Sequence, residues 1–95
     1  MGKWHFDQSP NTAAITDKYV LEAGKSILSV IHYIDHDSWA FLSDLDSDPS
    51  DGRVISMKEA LEIDKSIEEI ALMESGKKAF RNNVKEKWRI IDIEK

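Results

Sequence analysis

The chain has no cysteine. Disulfides, thiolate metal centres and a cysteine nucleophile are therefore excluded, and a reducing compartment fits. It also lacks any long hydrophobic run. The longest mostly apolar stretch, SILSVIHYI, falls far short of the ~20 residues that span a bilayer. No apolar run follows the charged start MGKWHFDQSP, so a signal peptide is not expected. Gly2 invites N-myristoylation, but position 6 is Phe rather than Ser or Thr and the motif fails. Excess positive charge is missing as well. With a net charge of −5 and a pI near 5.1, the surface repels phosphate backbones, and nucleic acid is not an expected partner. Catalytic signatures are absent too: there is no G-x-S-x-G elbow, P-loop or G-x-G-x-x-G. ESGKKAF contains Gly-Lys but not the first glycine or the hydroxyl residue of a P-loop. Together these absences predict a soluble cytoplasmic protein with no membrane partner, no cofactor and no familiar nucleophile.

What is present suits one small globule. Ninety-five residues make a single domain, and a hydrophobic share of 41% supplies a core. Residues 1–11 read as an extended lead-in, with Trp4 and Phe6 alternating onto one face and Pro10 ending it. AAIT is a short strand, and DKYVLEAGK is a turn of helix or a loop closed by Gly24. SILSVIHYI is rich in β-branched and aromatic residues and is the strongest strand. Alternation turns Ile27, Ser29, Ile31 and Tyr33 one way, and Leu28, Val30, His32 and Ile34 the other. After the polar turn DHDS, WAFLS returns with Trp39 and Phe41 on one face. The expected hairpin covers 26–43.

DLDSDPSDG is loop. RVIS is a strand that leads into a helix, because Ser56 and Glu59 have capping-box spacing. Ser66 and Glu69 repeat that spacing, so two short helices are expected, starting near Met57 and Ile67. Phe80, Val84 and Trp88 stand at i, i+4 and i+8 and suggest a third. RIIDIEK is a last strand or a tail. The expected fold is α+β: a small, mainly antiparallel sheet with two or three short helices packed on one face.

Two groups of residues invite a metal. Asp44, Asp46 and Asp48 have the spacing of a calcium loop. An EF-hand also needs glycine at position 6 and glutamate at position 12, and here those are Pro49 and Ile55. An irregular site using Asp51 stays open. His32 and His36 lie on a strand and in the following turn, not as a pair on one helix, so metalloprotease spacing does not apply. With Asp35 or Asp37, and His5 if the lead-in folds back, they form a candidate small-ligand or metal-binding set. The alternative for His32 is a structural residue on a sheet face, with a ring nitrogen bonded to backbone or carboxylate. Trp4 either anchors an interface or packs over the sheet.

Across nearly its whole length the chain resembles a family of small uncharacterised bacterial proteins, a domain of unknown function whose relatives are grouped with bacterial immunity proteins. FDQSPNTAAIT, the strand ending in His32, the Trp39-x-Phe41 pair, the Val54-to-Leu61 step, Asp64 before Ile67 and Ile70, and the Ala79-to-Trp88 end carry the resemblance. The family's Pro-Gly-Trp-like corner is ESGKKAF here, without the proline or tryptophan. The resemblance implies no activity and no catalytic residue. Small size, an acidic surface and the missing catalytic set point instead to a non-catalytic protein-interaction module, immunity-like, that meets a basic protein partner through Asp44, Asp46, Asp48 and Asp51, with Trp4 as an anchor. Charge reversal of that loop is expected to slow association with a basic partner at low salt; an unchanged on-rate removes the loop from the interface.

Overall fold

The computed structural model describes residues 4–43 and 49–93. Its strands are β1 (Ala13–Asp17), β2 (Ser29–His32), β3 (Trp39–Leu42), β4 (Gly52–Ser56), β5 (Lys77–Phe80) and β6 (Arg89–Asp92). Two α-helices, α1 (Lys18–Ala23) and α2 (Met57–Ile63), and a 3-10 segment, Lys65–Ile70, complete the core architecture. The strands form one six-stranded sheet in the order β4-β1-β3-β2-β5-β6. All neighbours are antiparallel except β1 and β3. This is the expected small α+β fold, and the expected hairpin is present, with β2 and β3 paired from Ser29↔Leu42 to His32↔Trp39.

Two rows of side chains follow from the register, because residues directly opposite one another share a face. Thr16, Phe41, Val30 and Ala79 form one row across the four inner strands, and all four are buried. Against this face α1 packs Val20, α2 packs Met57 and Ala60, and the 3-10 segment packs Ile67 and Ile70. The other row is Val54, Ile15, Ala40, Ile31, Lys78 and Ile91. No side chain of this second row belongs to the core cluster.

Buried polar groups hold the layers in register. Asp17 ends β1 and caps α1, its Oδ1 accepting from Val20 N at 2.9 Å. Its Oδ2 accepts from the backbone N and Oγ of Ser43 at 2.9 and 2.8 Å. One carboxylate thus ties the end of β3 to the start of α1, and Gly24 at φ +70° closes that helix in the left-handed region. Ser56 and Glu59 form the expected capping box at α2.

Two expectations need correction. Ser66 does not cap a second box. Asp64 is the cap, its Oδ1 accepting from the backbone N and Oγ of Ser66, and the segment it starts is 3-10. A short carboxylate reaches the N–H two residues on, which favours this tighter turn. The helix expected through Phe80, Val84 and Trp88 is absent. Lys77–Phe80 is instead strand β5, paired with β2 on one side and β6 on the other. Asn83 Oδ1 accepts from Lys85 N at 2.9 Å, and Glu86 Oε1 from Asn82 N at 3.0 Å. These side-chain bonds make a turn where a helix would need backbone bonds, and RIID returns as the last strand. Phe41→Ala is expected to cost about 3–5 kcal/mol. Val54→Thr, at a site 69% exposed, is expected to stay within about 0.5 kcal/mol. Urea denaturation of both variants checks the assignment of the two faces.

Candidate interaction surface

Val54 is 69% exposed, Ile91 47% and Ile15 41%, while Ile31 and Lys78 are half-buried. Ala40 is buried, flanked by Ile15 and Ile31 on the neighbouring strands. Tyr33 and Ile93 extend this face beyond β2 and β6 and are also exposed. Six strands about 4.8 Å apart set the outermost strands of this face about 24 Å apart. Exposed apolar side chains gathered on one sheet face mark an interaction site more often than scattered exposed hydrophobics do. Alternation along β5 and β6 turns Lys78 and Arg89 to this face. Among the described residues neither makes an ion pair.

The histidine set resolves differently. His32 is buried on the helix-covered face and stacks on Trp39 at 4.0 Å between ring centroids. Its Nδ1 donates to the Met73 carbonyl at 2.8 Å, and its Nε2 lies 2.6 Å from Asp37 Oδ1. Both ring nitrogens are thus engaged, one by backbone and one by carboxylate. Gln8 Nε2 donates to the carbonyl and Oδ2 of Asp37 at 2.8 Å each, while Gln8 Oε1 accepts from Trp39 Nε1 at 2.6 Å. Trp4 Nε1 donates to the Gln8 carbonyl at 2.5 Å, and the Trp4 ring lies 5.6 Å from Phe6. Trp4 therefore packs over the core instead of standing free. His36 and Asp37 hold left-handed backbone, at φ +57° and +54°, a conformation uncommon for residues other than glycine. His36 is exposed and is not brought to His32. Among the described residues no three His, Asp or Glu side chains converge in a metal-binding group.

Asp44, Asp46 and Asp48 lie outside the described residues. Asp51 is described, and it turns inward. Its Oδ1 lies 3.3 Å from Lys18 Nζ, and its side chain is 14% exposed. This hydrogen bond, with the charge behind it, raises the Lys18 ammonium above its ordinary 10.5. The Asp92 carboxylate does the same for Lys77 across β5 and β6, again chiefly through a hydrogen bond.

Two partners escaped the sequence reading. Gln8 bridges Trp4, Trp39 and Asp37, but a lone glutamine in a lead-in carries no signal. Arg81 is 4% exposed. It donates to Asp64 Oδ2 at 2.7 Å and to the Ile27 carbonyl at 3.0 Å, and it lies 4.0 Å from the Trp88 ring centroid. A cleft of about 340 Å³ lies beside it, with Val20, Lys25, Ile27, Ile63 and Asp64 in its lining. Its lining holds no histidine, and its one carboxylate, Asp64, already pairs with Arg81.

No family model, curated protein or solved structure matches the chain. The Gln8–Asp37–His32 network is expected to act as one unit. In a double-mutant cycle, Gln8→Ala and Asp37→Ala should show a coupling of about 0.5–3 kcal/mol in urea denaturation. Additive losses would mean that the two side chains act independently.

Proposed function

We propose that this chain is a non-catalytic protein-interaction module, immunity-like in that it occupies a surface of another protein, and that it works in the cytoplasm. The open apolar row across the sheet carries this reading. Exposing Val54, Ile15 and Ile91 on one face has no value to a domain that acts alone, whereas a partner that covers them gains roughly 25 cal/mol per Å² of apolar area removed from water. The His32 network supports the same reading from the other side. Its polar atoms are committed to one another, so they hold Trp4 and Trp39 in place and leave no unpaired base for catalysis. Among the described residues no helix is long and apolar enough to cross a membrane.

The net charge of −5 favours a partner that is basic overall, through steering of the encounter. Exposed glutamates on and beyond α2, among them Glu59, Glu62, Glu68 and Glu69, contribute to that field. The test is capture of the partner from the protein's own cells with tagged wild-type chain and with Ile15→Asp, each shown folded by circular dichroism. A stoichiometric partner held by wild type and lost by Ile15→Asp is the expected result. A partner retained equally by both would place the contact elsewhere.

A further inference from the structure

The open face carries one more piece of information: the sign of its charge. In a chain with 18 acidic and 13 basic residues, the charged side chains that alternation turns to the exposed part of this face are both cations. Lys78 stands in the central row between Ile31 and Ile91, and Arg89 lies two residue pairs along the ladder, opposite Phe80 and on the same face. Among the described residues the only carboxylate that the register assigns to this face, Asp17, is 3% exposed and engaged by Val20 and Ser43. The apolar stretch Val54–Ile15–Ala40–Ile31 occupies the β4 side, and the cations occupy the β5–β6 side.

We infer that the occupant of this face is an amphipathic helical segment of another protein, apolar where it covers β4, β1, β3 and β2, with carboxylates placed over Lys78 and Arg89. This rests on the reading of the chain as an interaction module and names the partner's chemistry. A second copy fits poorly. Among the described residues, packing this face on itself brings no free carboxylate to Lys78, and an ammonium desolvated without a partner costs several kcal/mol. An anionic bilayer fits poorly as well. Two cations attract it weakly, and a net charge of −5 opposes approach. A helix is the element that this sheet already packs on its other face, and helices on both faces complete a sheet as a layered fold. An 18-residue helix is about 27 Å long, enough to span the roughly 24 Å row.

The test uses two 18-residue amphipathic peptides with the same leucine-rich face, one ending in paired glutamates and the other in paired lysines. Binding to the intact chain is followed by fluorescence anisotropy and by amide NMR shifts. The Glu-ended peptide is expected to bind about tenfold more tightly and to shift the amides of Ile15, Ala40, Ile31 and Lys78. Lys78→Glu should reverse the preference. Arg89→Glu, at an exposed edge position, should reduce it, which keeps the test available if Lys78→Glu does not fold. Equal binding of the two peptides, binding of neither, or shifts confined to the helical layer would overturn the inference. So would stronger binding to phosphatidylglycerol vesicles, or a dimer in sedimentation that Ile15→Asp dissociates. Failure of both peptides alongside loss of the native partner by Ile15→Asp would sink the helical occupant and leave the interaction module standing.

Discussion

A six-stranded sheet has two faces, and this chain brings helix to one of them. α1, α2 and the 3-10 segment Lys65–Ile70 all contribute to a single buried cluster with Phe41, Val30 and Ala79. Their lengths of six, seven and six residues are too short for them to be stable helices alone, so packing on the sheet is what makes them helical. Among the described residues the opposite row receives nothing equivalent. A domain this small buries a modest fraction of its surface, and the one-sided core is where that burial is concentrated. The exposed row of Val54, Ile15 and Ile91 is the consequence, and it is the feature on which the proposed binding function rests.

Polar groups inside the core explain how so small a cluster selects one arrangement. Asp17, His32 and Arg81 are each nearly fully buried, and each joins segments distant in sequence. Asp17 joins β1 to the end of β3, His32 joins β2 to Met73, and Arg81 joins β5 to Asp64 and Ile27. A buried polar atom left without a partner costs about 1–3 kcal/mol, so a slipped register would lose several such bonds at once. Apolar packing tolerates sliding better than hydrogen bonds do. These three residues therefore fix geometry, including the spacing of the open row, which inherits its alignment from the same strands.

The sheet was legible where signals were local. β-branched and aromatic alternation gave the 26–43 hairpin, and Ser56 with Glu59 gave the start of α2. The assignment of Trp39 and Phe41 to one face also followed from alternation alone. What was hidden depends on distant partners. Phe80, Val84 and Trp88 match a helical period, yet Lys77–Phe80 pairs on both sides with strands, and ladder hydrogen bonds outweigh a three-residue pattern. The parallel β1–β3 pair has no local signature. The candidate site was legible only in fragments. Trp4, His32 and Asp37 were singled out as residues, but Gln8, which joins them, has no distinguishing pattern. The open face was half visible, since Ile31 and Tyr33 were placed opposite Val30 and His32. That no helix would cover that side depends on the whole topology.

The two electrostatic features of the molecule act at different distances, and this reconciles a basic partner with a carboxylate-bearing contact. Net charge steers the encounter over separations of about a Debye length, most strongly at low salt, and a charge of −5 favours a basic body. At physiological ionic strength the Debye length is about 8 Å, so once surfaces meet, the charges that matter are those within the interface. There Lys78 and Arg89 stand beside apolar strands, and the exposed glutamates of α2 belong to the other layer. A partner selected by long-range attraction alone would meet a cationic, apolar face and gain little from its own lysines. On the proposed reading, discrimination among basic proteins falls to the local pattern of apolar contact ending in carboxylate. A partner that is basic overall and locally acidic satisfies both requirements, and few surfaces do.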